Sequence, residues 1–144
     1  MPEAPATSGY LIDANVLIDI ITKDVVWYDW STGAMKSAAR ISAVYINPLI
    51  YAEVSTQFSS IEKLDRVLPS SLLRRAQLPY GAGFLAAKAF VAYRRRGGSL
   101  RSPMPDFYIG AHAVVQNLTL VTRDVRRYRN YFPTLRLVAP EEAR

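Results

Sequence analysis

Along the chain, short β-rich runs alternate with longer segments in which apolar residues recur at helical spacing. Tyr10-Leu11-Ile12 is the first such run and ends directly in Asp13. Behind it, Val16, Leu17, Ile20 and Ile21 mark an amphipathic helix. A second helix is expected from Trp27 to about Ala39. Ala43-Val44-Tyr45-Ile46 reads as a strand closed by Asn47-Pro48, an N-cap followed by a proline at the first helical position. The helix this pair opens carries Leu49, Ile50, Val54 and Phe58 and includes Glu53. Ile61 to Leu68 continues helical as far as Pro69, and Leu72 to Leu78 fits either state. Tyr80 to Arg96 is a long amphipathic pattern with Phe84, Ala87 and Val91 on one stripe, stopped by Gly97-Gly98. After a loop from Ser99, Pro105 opens a helix to Asn117 with Asp106 in its first turn. Its small residues Gly110, Ala111 and Ala113 suit close approach to a neighbour. Thr119-Leu120-Val121 is a third strand, followed by Asp124. Arg126 to Tyr131 is a short helix, and Leu135-Arg136-Leu137-Val138 is a last strand.

Strands alternating with helices imply right-handed crossovers and an α/β fold, with a central, mostly parallel sheet of about four or five strands and helices on both faces. A length of 144 residues, half of them apolar, suits one domain with a single core. That domain is expected over 9–140, after a loose Pro- and Ala-rich tail at 1–8 and before a short C-terminal tail at 141–144. The absence of cysteine excludes disulfides and thiolate metal sites. No apolar run approaches the roughly 20 residues that span a bilayer. The first residues lack the basic and apolar regions of a signal peptide, so a cytoplasmic, soluble protein with no membrane role is expected.

Four acids stand out by position. Ligands of open parallel sheets bind beyond the carboxyl ends of the strands. Asp13 and Asp124 each follow a strand, so both should emerge at that edge. Glu53 lies in a helix that follows a strand, and Asp106 lies at a helix N-terminus. Right-handed connections would bring both to the same edge. Each acid has a plainer role available: capping for Asp13 and Asp124, a favourable helix dipole for Asp106, an exposed helix charge for Glu53. If they do cluster, their repulsion raises their pKa values unless a cation compensates. With no cysteine and a single histidine, the donors are hard oxygens, which suit Mg²⁺ or Mn²⁺ rather than zinc. Ions held this way activate water for attack on a phosphodiester. Asn15 and Thr122 flank the two strand-end acids, where they could orient a carboxylate or make turn and cap bonds. His112 lies six residues beyond Asp106 on the same helix, roughly 120° away around the axis, and reads as structural.

Net charge is +6, from 18 Lys and Arg against 12 Asp and Glu. A basic body around an acidic spot suits a polyanion held by its phosphates. Arg123, Arg126, Arg127 and Arg129 surround Asp124. Phosphate contacts are expected there, with Tyr128 and Tyr131 available for base stacking. Arg94-Arg95-Arg96 and Arg101 read more simply as a solvated face.

Four stretches carry a family resemblance: Leu11-Ile12-Asp13-Ala14-Asn15-Val16-Leu17-Ile18-Asp19, Ile46-Asn47-Pro48-Leu49-Ile50-Tyr51-Ala52-Glu53-Val54, Pro105-Asp106-Phe107-Tyr108-Ile109-Gly110-Ala111-His112-Ala113 and Leu120-Val121-Thr122-Arg123-Asp124. In this order and spacing the chain resembles the PIN-domain ribonucleases, specifically the VapC-like toxins of type II toxin–antitoxin pairs. The resemblance runs from Tyr10 to about Pro140. It implies a three-layer α/β/α sandwich and Mg²⁺-dependent endonucleolytic cleavage of RNA, with Mn²⁺ as a substitute. It further implies metal-binding acids at Asp13, Glu53, Asp106 and Asp124, with polar support from Asn15 and Thr122. A homodimer and a cognate antitoxin whose tail blocks the cleft are also implied. Arg123, Arg126 and Arg127 are the expected phosphate ligands.

Other readings stay open. A phosphohydrolase using Asp13 as nucleophile would want a second acid two residues on, where this chain has Asn15, and a downstream lysine; the only lysines are Lys23, Lys36, Lys63 and Lys88. A catalytically silent RNA-binding module and a housekeeping nuclease without an antitoxin are the remaining alternatives.

Overall fold

Parallel strands buried on both faces need near-continuous apolar sequence, and the central strands have it. In β1 (Tyr10–Ile12), Leu11 and Ile12 are fully buried, as are Leu120 and Val121 in β4 (Thr119–Val121). The computed structural model describes residues 7–97 and 104–140. Most of the expected N-terminal tail (1–6), the expected C-terminal tail (141–144) and the loop segment 98–103 with Arg101 lie outside these residues. The remaining strands are β2 (Val44–Ile46), β3 (Leu73–Arg75) and β5 (Leu137–Val138). All five form one sheet in the order β3-β2-β1-β4-β5, with every neighbouring pair parallel. Leu11 is in register with Tyr45 on one side and Leu120 on the other.

Seven helices connect the strands: α1 (Ala14–Thr22), α2 (Tyr28–Ile41), α3 (Pro48–Ser55), α4 (Ile61–Val67), α5 (Tyr80–Arg95), α6 (Met104–Val115) and α7 (Val125–Tyr131). The chain walks outward from β1 to β3, then returns to lay β4 on the other flank of β1. Right-handed crossovers therefore place α1 to α4 on one face and α5 to α7 on the other, giving the α/β/α layers. The reversal of strand order between β1 and β4 leaves a crevice at their carboxyl ends.

Local chemistry sets the helix ends that matter for this crevice. Asn47 accepts the Ile50 amide at 2.9 Å and Pro48 takes the first helical position, so α3 starts where β2 stops. His112, fully buried on α6, accepts a hydrogen bond at Nδ1 from Asn47 Nδ2 (3.0 Å), and its Nε2 bonds Gln116 Oε1 (3.0 Å). Burial holds His112 below its ordinary pKa, as expected of a neutral structural ring. It ties the helix bearing Glu53 to the helix bearing Asp106.

Three elements differ from the sequence expectation. α3 ends at Ser55, so Phe58 lies beyond it, and α4 is a separate helix capped by Ser60. The stripe Phe84, Ala87, Val91 on α5 does not face the core. Phe84 is 70% and Val91 43% exposed, while Ala82, Ala86 and Ala89 are buried. Small side chains let α5 approach closely, and Phe90 and Tyr93 then close edge-on around Phe107 of α6. The last strand covers Leu137–Val138 only, although the Leu120 amide already bonds the Arg136 carbonyl (2.9 Å). The ambiguous stretch Leu72 to Leu78 contains edge strand β3, in which Leu73 is buried and both arginines are exposed.

Candidate active site at the carboxyl edge of the sheet

Asp13 leaves β1 in an extended conformation and caps α1, its Oδ1 accepting the Ala14 amide at 2.8 Å. Its Oδ2 turns across the crevice to the β4 side. There it accepts hydrogen bonds from the hydroxyls of Thr122 (2.8 Å) and Tyr128 (3.1 Å). Capping and convergence on the crevice are thus both true of this residue. Asp13 is 5% exposed, and burial pushes its pKa up to about 6 in spite of these bonds. Thr122 is fully buried; besides donating to Asp13, its hydroxyl accepts the Asp124 amide (3.1 Å) and Asn15 Nδ2 (3.3 Å). Asn15 in turn accepts the Arg123 amide at 3.2 Å, which fixes the turn after β4 against the start of α1.

Glu53 projects from α3 and is partly buried. Burial first, then the negative charges of Asp13 and Asp106, raise its pKa to about 7. Asp106, in the first turn of α6, is raised by burial and lowered by Arg127. Asp124 is the N-cap of α7, yet its side chain makes no cap bond. Instead Arg127 Nη1 stands 2.6 Å from Asp106 Oδ2 and 3.2 Å from Asp124 Oδ2. Four acids from four separate elements therefore act on one another at the carboxyl edge. Among the described residues, no three His, Cys, Asp or Glu side chains are yet drawn tightly enough together to hold a metal ion.

The arginines divide by environment. Arg123 is held by Asp19, with Nε to Oδ2 at 2.6 Å and Nη2 to Oδ1 at 2.9 Å, and lies 5.0 Å from the Trp27 ring centroid. Asp19 is 2% exposed and also accepts the Ser31 hydroxyl at 2.7 Å. Arg126 and Arg129 are exposed. Tyr128 is 1% exposed, so it is not available for base stacking; its ring is buried and its hydroxyl serves Asp13. Burial and the surrounding carboxylates push the Tyr128 phenol well above its ordinary pKa. Tyr131 packs edge-on against Tyr93 and Phe107.

Sequence reasoning missed Tyr128 as a partner of Asp13, and Asp19 as the partner of Arg123. The signal for Asp19 was an acid set inside the apolar run Leu17 to Ile21 of a helix, where burial demands a counter-charge. For Tyr128 the signal was its place one turn beyond Asp124.

A PIN-domain family model matches residues 10–133. The chain belongs to the PIN-domain family. The fold of this PIN domain is similar to that of VapBC2 from Rickettsia felis, solved bound to a promoter DNA fragment, at 20% identity with a TM-score of 0.71 over 92% of this chain and 98% of that one. VapBC-1 from nontypeable Haemophilus influenzae is similar at 16% identity with a TM-score of 0.67, over 90% and 96% of the two chains. A toxin–antitoxin complex from Klebsiella pneumoniae is similar at 22% identity with a TM-score of 0.62, over 94% and 100%. A comparison with curated protein sequences gives no match.

The donor set of the PIN domain fits a hard divalent cation. Arg127 contacts two of the four carboxylates, those of Asp106 and Asp124, while the charge of Arg123 is matched by Asp19. Burial first, with the neighbouring carboxylates adding to it, raises the pKa values of Asp13 and Glu53, and a bound cation would favour their ionised forms. No helix among the described residues is long and apolar enough to cross a membrane.

Proposed function

We propose that this PIN domain is a Mg²⁺-dependent endoribonuclease, with Mn²⁺ able to substitute, and that it is the toxin of a toxin–antitoxin pair. The observation that carries the reading is the convergence of Asp13, Glu53, Asp106 and Asp124 from four elements on the crevice between β1 and β4. Asp13, Asp106 and Asp124 would hold the metal, which supplies Lewis-acid stabilisation of charge on the scissile phosphate. Glu53 would complete the site. Its place beside the other acids suits taking a proton from an attacking water once a bound cation favours its carboxylate form. Thr122, Asn15 and Tyr128 orient Asp13 and the turn after β4.

Exposed Arg126 suits contact with RNA phosphates directly. Arg123 and Arg127 would do so only by exchanging carboxylate partners. The similar folds in toxin–antitoxin complexes support a cognate antitoxin, and family membership supports a homodimer in the cytoplasm.

Digestion of total RNA with mapped cut ends tests the reading. Cleavage should require Mg²⁺ or Mn²⁺, stop with EDTA, and disappear in Asp106→Asn while the circular dichroism spectrum is unchanged. Chelator-indifferent cleavage would overturn the metal assignment. RNA binding without cleavage in Mn²⁺ would make the protein a silent binding module.

A further inference from the structure

We propose that Arg127 is a built-in counter-cation: in the metal-free protein its guanidinium bridges Asp106 and Asp124, and it must swing out before the acids can grip a divalent ion. The inference rests on the metal-dependent reading above. One nitrogen, Nη1, contacts carboxylates from two different elements, α6 and α7, at 2.6 and 3.2 Å. A single positive centre between two anionic oxygens is the arrangement a bound metal ion would take over.

The neighbours of Arg127 show why this residue has that part. Among the described residues the donors to Asp13 are neutral: the Ala14 amide, the Asn15 side-chain amide at 3.5 Å and the hydroxyls of Thr122 and Tyr128. Arg123 is fixed in a two-point pair with an almost fully buried Asp19 and reads as a strut. Arg127 keeps 26% of its side chain exposed and Asp124 keeps 38%, so the guanidinium has an outward path. A divalent ion on Oδ2 of Asp106 and Asp124 would repel a guanidinium held on the same two oxygens. The Arg127-bridged and Arg127-released states are therefore alternatives, and a metal pays for the shift between them out of its own affinity. Once released, the planar guanidinium is a phosphate ligand at the edge of the cleft, so metal and RNA should bind cooperatively.

Mn²⁺ titration of the full chain, by calorimetry or by the loss of free-ion paramagnetic signal, tests this. Arg127→Gln should bind Mn²⁺ roughly three- to tenfold more tightly than wild type, the scale of one lost charge-assisted contact. It should also melt earlier in EDTA and gain more from Mn²⁺. Arg127→Lys should stay near wild type. Arg129→Gln, which removes the same charge from an exposed position of the same helix, should shift affinity much less. Equal shifts in Arg127→Gln and Arg129→Gln, or unchanged or weaker Mn²⁺ binding in a folded Arg127→Gln, would overturn the inference and leave the nuclease reading intact. Absence of Mn²⁺ binding in wild type and Arg127→Gln alike would instead remove the metal reading, and this inference with it.

Discussion

A single hydroxyl separates Tyr128 from a phenylalanine that would fill the same buried space, and that hydroxyl ends 3.1 Å from Asp13 Oδ2. It helps the ionised form of Asp13 against the burial that raises its pKa to about 6. Tyr128→Phe should therefore push that pKa higher. Mn²⁺ binding should weaken near pH 6 and rejoin wild type in more alkaline buffer, with a stability loss of about 0.5–1.5 kcal/mol. Titrations at several pH values check this; a pH-independent loss would assign the hydroxyl to packing alone. The four acids were legible in the sequence because strand ends and helix starts are local signals. Tyr128 was not, because its contact depends on the angle at which α7 crosses the sheet edge. Arg123 and Arg127 were legible as charges near Asp124, and Arg127 does pair with it, but the partners at Asp19 and Asp106 lie far away in sequence.

Elements position these side chains through close packing. A methyl placed on Gly110 of α6 would meet Phe132 Cε2 at 2.6 Å and Tyr128 Cδ1 at 3.0 Å. Gly110→Ala gains about 1 kcal/mol of helix propensity. Overpacking against the buried Phe132 ring costs about 1–3 kcal/mol. The balance should be a melting point lower by a few degrees. Because Tyr128 is displaced as well, Mn²⁺ affinity should fall with it; a variant as stable and as avid as wild type would show that the rings yield freely. The same scale explains the misread face of α5. Periodicity marks an apolar stripe there but cannot say which of two faces meets the protein. The alanines at 82, 86 and 89 are the close-packing face, and the larger Phe84 and Val91 point outward. Edge strand β3 was illegible for a related reason: three residues, two of them exposed arginines, show no pattern.

For the molecule as a whole, the crowded acids make folding depend on pH. Asp13 and Glu53 have folded-state pKa values of about 6 and about 7, above their ordinary values. The folded protein thus keeps protons that the unfolded chain has released. The resulting stability is fully present below about pH 4 and is lost as pH rises through 6 and 7. Asp106, also raised, adds to this loss. His112, lowered by burial from 6.5, acts in the opposite sense and adds stability as pH rises to that value, while Asp24, lowered by the Trp27 and Val26 amides, acts at more acid pH. In EDTA the melting temperature should decline between about pH 6.5 and pH 8, above the range in which His112 offsets it, and Mn²⁺ should restore it at the alkaline end by mass action. Asp13→Asn and Glu53→Gln should flatten the decline. A profile that stays flat in wild type would mean that the acids are solvated in solution.

The strand order also governs when the four acids can come together. β4 is inserted beside β1 from the far end of the polypeptide, and it brings Thr122, Asp124, Arg127 and Tyr128 with it. During synthesis on a ribosome, everything up to α6 can emerge while Asp13 still faces an empty flank. Until β4 lies beside β1, Asp13 lacks the hydroxyls of Thr122 and Tyr128, so the acids and their supports are assembled in one step as the sheet closes.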